Sequence, residues 1–516
     1  MKEIIQPSSE IEVSEEETDK VLSSEEIEAT IYEEVSNLMD WISSCDTVTF
    51  NTFEKQLCPK VFSLGCLFMQ FFLCLRNEQF QAEHPEPLTG YKRVCSKSRL
   101  LGTVFGKVRY WRTYFYRKNE GYYPFDIELG LTGDGFSMSL QSLATRIATK
   151  MSYAQTVVVL SMFLNWSPAQ GSVESMVLGL GRHTGDWFEA APAPEGDGEV
   201  LIIQIDSKAA PTATEEELKK RRGPRRKNSN KGSKRHRGRK ARKRRGSKKR
   251  RKKGDKSKNG KMATIVTMYT LKRNADGELE GPINKKVYAS FAPKRHAVAI
   301  ARREANKRGF GPESEKTIQI VTDGDNDLEC YIDEYFPEVE HTIDVFHVIE
   351  YLWSAGQCLY KEGSDELIEW VETQKDSLYD DRAQDIVDEI DKQLARFDPS
   401  KVNARKRLLA ARNYLSKRIK KMEYKRLRDQ DLEISSGAVE GAVKHVIAKR
   451  FDNGGMRWIK ERAEHLLQLR CIEINDDWDA FIDFVHDRTQ QQAQNNRENI
   501  ALKRTKPTPL PSYGLT

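Results

Sequence analysis

Three acidic residues that lie far apart in the chain have the types and settings that suit divalent-metal chemistry. Asp206 stands near the end of the apolar, β-branched run at residues 200–208, and Asp323 ends a similar run that begins at residue 317. Asp325 and Asp327, just after it, are expected to be cap or turn residues of the next helix. Both runs predict buried strands, and open α/β sheets bind ligands at the carboxyl ends of their strands. Together with Glu440, they could form a three-carboxylate site for two magnesium ions. Such a pair of ions can activate a water or a 3′-hydroxyl and stabilise the leaving oxygen of a phosphodiester.

The third acid belongs to a stretch, residues 435–458, that predicts a helix. Ser435 or Ser436 can cap its first turn, and Gly454 or Gly455 can end it. Apolar residues recur at helical spacing, namely Val439, Val443, Val446 and Ile447. Glu440 is followed by four cations, namely Lys444, Lys449, Arg450 and Arg457. This pattern would arise if Glu440 were a metal ligand and the cations that follow it, such as Arg450 and Arg457, contacted a polyanion such as DNA. An ordinary exposed Glu440–Lys444 pair four residues apart would give it too.

The order and surroundings of these residues resemble a known family. Asp206, Asp323 and Glu440 resemble the DDE triad of ribonuclease-H-like transposases and integrases. The run Ser-Gly-Ala-Val-Glu-Gly-Ala-Val-Lys at 436–444, with Arg450, Phe451 and Gly-Met-Arg-Trp at 455–458, resembles the Kra-type insertion-sequence transposases of bacteria. Asp344 and His347 resemble the Asp-x-x-His element of many such enzymes. The resemblance covers most of residues 90–480.

This resemblance implies a DNA transposase that binds the ends of an insertion sequence and performs metal-dependent hydrolysis and strand transfer. Two Mg²⁺ ions, for which Mn²⁺ can substitute, would be held by Asp206, Asp323 and Glu440. Asp344, His347 and Lys444 would lie beside the site, although His347 could instead be a satisfied histidine that caps its helix. The partners would be double-stranded DNA, as element ends and target, and further copies of the chain.

The charge of the chain is unevenly distributed. The 516 residues carry a net charge of +7, yet residues 219–261 contain 26 Lys and Arg and one acid, so the remainder has 58 basic and 76 acidic residues. Such a tract cannot bury a core, and its cations can neutralise phosphates and release counterions without reading sequence. It predicts a disordered nucleic-acid arm that includes Lys249, Arg250 and Arg251.

A second basic region interleaves cations with aromatic residues between residues 90 and 130. Arg109 and Arg112 stand beside Tyr110 and Trp111, a pattern that suits phosphate contact with base stacking. A half-buried sheet with a charged outer face fits equally well. The resemblance implies zinc-binding cysteines in this hairpin, but residues 116–123 contain none, and no two of the eight cysteines are spaced as CxxC.

The expected fold class is α/β. A ribonuclease-H-like catalytic domain, with a mixed sheet flanked by helices, would carry an all-helical insertion and follow helical and small β/helix-turn-helix DNA-binding regions. The expected organisation is a disordered acidic tail at 1–25, a helical region at 26–85, a β-hairpin at 90–130, a helix-turn-helix-like region at 131–185, a catalytic domain at 198–361 plus 433–480, a basic insertion at 215–261, a helical insertion at 362–432, and a helix end with a disordered tail at 481–516.

The expected location is the cytoplasm, in association with the bacterial nucleoid. The N-terminus is acidic rather than a signal peptide, and the most apolar run, residues 64–75, is too short to cross a bilayer. Two rival functions remain open at this point. One is a catalytically inactive or domesticated nucleic-acid-binding protein, and the other is a metal-dependent nuclease that uses the same three acids.

Overall fold

The structure is a computed structural model whose described residues are 22–83, 92–117, 120–131, 135–216, 218, 260–337, 339–452 and 456–495. The chain divides into two compact units, residues 184–477 and the remainder on either side of them. Several predictions lie outside the described residues: most of the acidic tail at 1–25, Gly454 and Gly455, and nearly all of the basic insertion, including Lys249, Arg250 and Arg251. The tail after residue 495 lies outside them as well.

The first unit begins with two helices, α1 (Ser24–Ser43) and α2 (Phe50–Glu83). Ser23 and Glu26 form a capping box that starts α1. Helix α2 continues through Pro59, so it is much longer than the apolar run at 64–75. Among the described helices it is the one long and apolar enough to cross a membrane, by length and composition only. One such helix is weak support for a membrane span.

A small antiparallel sheet follows, made by β1 (Lys92–Gly102), β2 (Lys107–Arg117) and β3 (Glu120–Tyr122). Further helices complete the first unit: α3 (Pro124–Glu128), α4 (Met138–Lys150), α5 (Tyr153–Phe163), α6 (Gln170–Gly181) and α17 (Trp478–Asn495). The last of these differs from the predicted organisation, which placed residues up to 480 in the catalytic domain. Trp478 explains the difference, because its buried ring lies in this unit and its Nε1 donates to Ser142 Oγ at 2.9 Å.

The second unit is built on a five-stranded mixed sheet. Its strands are β4 (Val200–Pro211), β5 (Gly260–Arg273), β6 (Leu279–Ser290), β7 (Thr317–Thr322) and β8 (Glu340–Ile343). They lie in the order β6-β5-β4-β7-β8; the pairings among β4, β5 and β6 are antiparallel, and β7 and β8 pair in parallel with their neighbours. The result is a mixed α/β fold compatible with a ribonuclease-H-like arrangement.

The two faces of this sheet are covered by different helices because β4 alternates its side chains. Leu201, Ile203 and Ile205 are buried in one core with residues of α8 (Lys294–Lys307) and α9 (Asn326–Tyr335). Val200 and Ile202 point to the opposite face, where Leu432 and Ala438 pack on them. The segment that leads to Glu440 therefore packs on this second face of the sheet.

A helical layer stands between the last strand and the segment that carries Glu440. Helix α10 (Val345–Leu359) leads into it, and α11 (Asp365–Tyr379), α12 (Ala383–Ala395), α13 (Val402–Ser416) and α14 (Tyr424–Asp429) form it. Their apolar faces share one core with Ile343 at the end of β8. After this layer come α15 (Gly437–Ala442), a π-helix (Val443–Asp452) and α16 (Lys460–Ile474), while the short helix α7 (Thr184–Ala190) begins the unit.

Candidate metal centre

Three aspartates form a row across the sheet. In the parallel pairings Ile205 lies opposite Thr322, and Thr322 lies opposite Ile343. The next residues along the three strands are Asp206, Asp323 and Asp344, which therefore stand at one level. Side chains at one level of a parallel sheet point to the same face. The row consequently lies on the face that carries Gln204 and Ile202, two and four residues before Asp206.

Glu440 joins this row from a helix rather than from a strand. It lies in α15, whose Ala438 packs on the same sheet face as Val200 and Ile202. The side chain of Glu440 is exposed, and the preceding Val439 is fully buried. Glu440 therefore faces solvent at the edge of the sheet, while the buried residues of α15 pack against the sheet.

Asp206 is close enough to Asp323 and Glu440 for their charges to act on it. Burial is the main reason that the pKa of Asp206 lies above its usual value, and the negative charges of Asp323 and Glu440 raise it further. The N–H of Ser207, which donates to Asp206 Oδ1 at 2.5 Å, and the nearby His347 act in the opposite direction. A divalent cation between these acids would relieve this repulsion, so the electrostatics fit a metal site.

Asp344 has a different role, because the fold already uses both of its oxygens. Its Oδ1 accepts from the N–H of Phe346 at 2.7 Å, and its Oδ2 accepts from both the N–H and the hydroxyl of Ser436. Burial opposes ionisation, but these bonds and His347 hold the pKa of Asp344 below its usual value. Asp344 therefore joins the start of α10 to the start of α15. Ser436 was predicted as a helix cap, but its hydroxyl donates to Asp344 instead.

His347 lies beside this carboxylate, one turn into α10. Its Nδ1 is 3.7 Å from Asp344 Oδ2, and its side chain is partly exposed. The interaction with Asp344, together with the charges of Asp323 and Glu350, raises the pKa of His347 to about 9 in spite of partial burial. Before any metal binds, this imidazole is thus a cation that faces the row of acids.

The spacing of the acids distinguishes a one-ion site from a two-ion site. Among the described residues, one set of three brings its ligand atoms within 4.8 Å of one another, namely Asp344, His347 and Glu440. Asp206, Asp323 and Glu440 are not such a set, so together they do not enclose a single ion. Two ions about 3.5–4 Å apart would need a wider spacing of acids than a single ion does. In the set of three, the oxygens of Asp344 already accept hydrogen bonds from Ser436 and Phe346.

The loop after Asp323 is fixed by the helical layer. Gly324 has a φ of +78°, a conformation that glycine adopts readily. Tyr414 donates its hydroxyl proton to the carbonyl of Asp323 at 2.8 Å, and Arg418 donates to the carbonyl of Gly324 at 2.7 Å. Asp325 caps α9 through the N–H of Leu328 and is paired with Lys294. It is therefore a structural acid, as its position before the helix predicted.

The helix that follows Glu440 differs from the predicted one. The sequence predicts a single α-helix over residues 435–458, whereas the structure changes from α-helix to π-helix at Val443. A π-helix places more residues in each turn, so positions assigned by the α-helical period rotate. Arg470 accompanies the change, because its guanidinium donates to the carbonyls of His445 and Val446.

The cations that follow Glu440, which would contact DNA if this site acts on it, differ in exposure. Lys444 is exposed and Arg457 is partly exposed, so both remain available. Arg450 is only 1% exposed, and its guanidinium lies 4.7 Å from the ring of Trp458. As it stands in this structure Arg450 packs the interior, and the prediction that it contacts DNA loses its basis.

The two arginines predicted to contact DNA from the hairpin of the first unit also differ in exposure. Arg109 is half-buried. Arg112 is 8% exposed, pairs with the buried carboxylate of Asp126, and stacks on Tyr123 with its guanidinium carbon 3.7 Å from the ring. Tyr110 donates to the same carboxylate at 2.6 Å. Arg112 thus stabilises the hairpin and is not exposed to DNA, because burying Asp126 requires a cation beside it.

Sequence comparisons do not identify a relative. No family model matches the chain, and a search of curated proteins finds no similar sequence. The geometry and chemistry of the second unit therefore have to carry the functional argument.

Proposed function

We propose that the chain is a DNA transposase of the DDE type, in which Asp206, Asp323 and Glu440 hold two Mg²⁺ ions. The observation that supports it best is the meeting of these acids on one face and at one edge of the sheet, although 234 residues separate the first from the last. Two strands and a helix that are remote in sequence contribute them. Acids that stood at strand ends by chance would not also be expected to raise the pKa of Asp206 through their charges.

The strand order supports a ribonuclease-H-like catalytic unit as part of this proposal. An antiparallel trio is followed by two parallel strands on the side of the first strand, and helices cover both faces. In that arrangement Asp206 belongs to the central strand and Asp323 to its parallel neighbour. The helical layer at residues 362–432 would be the insertion that the resemblance implies before the glutamate.

The chain's own residues account for binding and orientation in this mechanism. When bound, the two ions would activate water or a 3′-hydroxyl and stabilise the leaving oxygen of the phosphodiester. Asp206, Asp323 and Glu440 would hold them, and Asp344 would keep the glutamate helix in place. His347 would add positive charge beside the scissile phosphate. Lys444 and Arg457 would contact phosphates of the flanking DNA.

Sequence-independent affinity would come from the basic tract. Its 26 cations in residues 219–261 include Lys249, Arg250 and Arg251, and Arg109 could add a contact from the first unit. Pairing of two element ends would require more than one copy of the chain, so a homo-oligomer on DNA in the bacterial cytoplasm is part of the proposal.

The test is a cleavage and joining assay. Purified protein, Mg²⁺ and linear DNA that carries the inverted repeats flanking its gene should give 3′-hydroxyl ends and insertions into a target plasmid. Asp206→Asn, Asp323→Asn and Glu440→Gln should each abolish both steps and leave DNA binding intact. Asp327→Asn is the matched control, because this exposed acid lies only four residues from Asp323.

The outcomes separate the rival functions. Cleavage without joining, lost in all three variants, would favour a metal-dependent nuclease. DNA binding without cleavage in Mg²⁺ or Mn²⁺ would favour a nucleic-acid-binding protein that has lost catalysis. Equal activity in Asp206→Asn and the unaltered protein would remove the proposed site.

A further inference from the structure

Two glutamines occupy buried positions on the sheet face that carries the acids. Gln204 lies on β4 and is 1% exposed, and Gln319 lies on β7 and is fully buried. Gln319 is opposite Ile202 in the parallel pairing, so both side chains point to the same face as Asp206. Position 204 interrupts an otherwise apolar run, Val-Leu-Ile-Ile-Gln-Ile, in which a buried amide is costly unless its hydrogen bonds are made.

Both amides form hydrogen bonds with the backbone of the segment that leads to Glu440, and each also donates to one side chain, Gln204 to the hydroxyl of Tyr269 and Gln319 to Thr342 Oγ1. Gln204 accepts from the N–H of Val439 at 2.9 Å and donates to the carbonyl of Ser435 at 3.1 Å. Gln319 accepts from the N–H of Glu433 at 3.0 Å and donates to the carbonyl of the same residue at 2.7 Å. Each glutamine therefore pairs with this segment as a neighbouring strand would.

Other contacts complete the attachment. The N–H of Val345 donates to the carbonyl of Ile434 at 3.0 Å, and Asp344 holds Ser436. Tyr269 donates its hydroxyl proton to Glu433 Oε1 at 2.9 Å and accepts from Gln204 Nε2 at 3.2 Å. The segment at 433–439 is thus fastened to the sheet largely by side chains.

We propose that Gln204 and Gln319 are positioning residues that set where Glu440 stands relative to the two aspartates; this rests on the metal-binding function proposed above. Gln204 is two residues from Asp206 on the same strand, and its acceptor holds the residue immediately before Glu440. One side chain therefore ties two of the three acids together. Helix α15 has no side-chain cap at its start, so the glutamine bonds hold its first turn against the sheet.

The aspartates need no such attachment, because the backbone pairing of β4 and β7 already aligns them. Glu440 follows a helical layer of about seventy residues and reaches the sheet without a strand of its own. A shift of one residue in the segment at 433–439 would turn Glu440 away from the edge. The glutamines exclude that shift because each recognises the N–H and the carbonyl at defined positions.

The experiment compares Gln204→Leu and Gln319→Leu with Gln374→Leu, a buried glutamine of α11 that serves as the matched control. Manganese binding to the full-length protein is titrated without DNA by the loss of free-ion electron paramagnetic resonance signal. Amide hydrogen exchange is followed at Val439 and Glu433, and DNA cleavage is measured against Mn²⁺ concentration. Thermal unfolding establishes that each variant is folded.

We expect Gln204→Leu and Gln319→Leu to weaken Mn²⁺ binding by about 10–100-fold, as loss of outer-sphere partners commonly does. Exchange at Val439 should accelerate in Gln204→Leu, exchange at Glu433 should accelerate in Gln319→Leu, and DNA affinity should not change. Gln374→Leu should lower the unfolding temperature without altering Mn²⁺ binding or these exchange rates. If Gln204→Leu does not fold, Gln204→Met is used, since it keeps the chain length and lacks only the amide.

Asp206→Asn is included so that two failures can be told apart. If this variant loses Mn²⁺ binding and cleavage while both leucine variants match the unaltered protein, the positioning role is wrong and the metal site stands. If Asp206→Asn binds Mn²⁺ and cleaves DNA normally, the proposed function and the positioning role are both overturned.

Discussion

Ser436 donates two hydrogen bonds to a single carboxylate oxygen of Asp344, one from its backbone N–H and one from its hydroxyl. Asp344 is fully buried and also accepts from the N–H of Phe346. One acid that binds no metal in the proposed site thus connects the end of β8 to the helix of Glu440. The aspartate of the Asp-x-x-His element therefore has a structural role in this chain.

Asp344→Asn should be costly although it preserves size and shape. In either orientation its amide nitrogen would face an N–H donor, of Ser436 or of Phe346, and leave it unpaired, at a cost of about 1–3 kcal/mol. Ser436→Ala removes one hydroxyl bond and should cost about 0.5–1.5 kcal/mol. Urea unfolding measures both. Equal stability of Asp344→Asn and the exposed control Asp327→Asn would contradict this role.

Arg418 should be a stability residue rather than a DNA contact, although it belongs to a strongly basic stretch. It is 3% exposed and donates to Gly324, Asn326 and Glu329. Since hydrogen bonds to charged groups contribute about 1.5–3 kcal/mol, Arg418→Met should lower the free energy of unfolding by roughly that amount.

The control for Arg418 is Arg412→Met, which breaks a more exposed pair with Asp391. A surface pair contributes about 0–1 kcal/mol, so this variant should unfold nearly like the original chain. Denaturant titrations followed by tryptophan fluorescence compare the two. A larger loss in Arg412→Met, or weaker DNA binding in Arg418→Met at unchanged stability, would show that the assignment is wrong.

His341 should make the second unit sensitive to acid. Its Nδ1 accepts from Lys421 at 3.0 Å, and its Nε2 contacts Thr322 Oγ1 at 3.0 Å. Burial, and next the charge of Lys421, lower the pKa of His341 to about 3. The unfolded chain therefore binds a proton on His341 near pH 6.5, whereas the folded chain does so only near pH 3. The free energy of unfolding consequently falls as the pH drops from about 6.5 towards 3.

His341→Gln removes this titration. Between pH 6.5 and 4.5 its unfolding free energy should fall less steeply than that of the original chain, by up to about 1.4 kcal/mol per pH unit. Urea unfolding at several pH values provides the comparison, and His486→Gln, at a partly exposed histidine, controls for loss of an imidazole. Parallel pH profiles for His341→Gln and the original chain would contradict the expectation.

The basic tract should supply affinity without sequence preference. Replacing Lys249, Arg250 and Arg251 together by Gln should weaken binding to specific and random DNA by a similar factor. It should also reduce the slope of log affinity against log salt by up to about 2.7, because each phosphate contact contributes about 0.9. Fluorescence anisotropy at salt concentrations from about 50 to about 300 mM measures the slope.

The matching control removes three exposed cations from the helical layer, Lys361, Lys392 and Lys401. It changes net charge by the same amount and should leave the salt slope nearly unchanged. A triple replacement in the tract that affected only the element ends would instead indicate base recognition, since phosphate contacts carry no sequence information.

The strands and the row of aspartates followed well from local sequence. The run at 317–322 has the predicted bounds, because β-branched apolar residues flanked by a glycine turn leave few alternatives. Asp325 also takes its predicted place at a helix start. These features depend on residues adjacent in the chain, which is the information that a single sequence contains.

The errors arose where distant residues decide the outcome. Arg450 is buried beside Trp458, and Arg470 donates to the carbonyls of His445 and Val446 within the π-helix. Arg112 is buried because Asp126 lies beneath it. Gln204 and Gln319 obtain partners from residues 433–439, which are remote from them in the chain. An uncharged amide within a buried β-branched run was the available signal, since it must find partners.

The most direct measurement is anomalous diffraction from crystals soaked in Mn²⁺. We expect two peaks about 3.5–4 Å apart, with carboxylate oxygens of Asp206, Asp323 and Glu440 as their protein ligands. Asp344 should keep its bonds to Ser436 and coordinate neither ion. A single peak held by Asp344, His347 and Glu440, with Asp206 and Asp323 uncoordinated, would contradict the proposed centre.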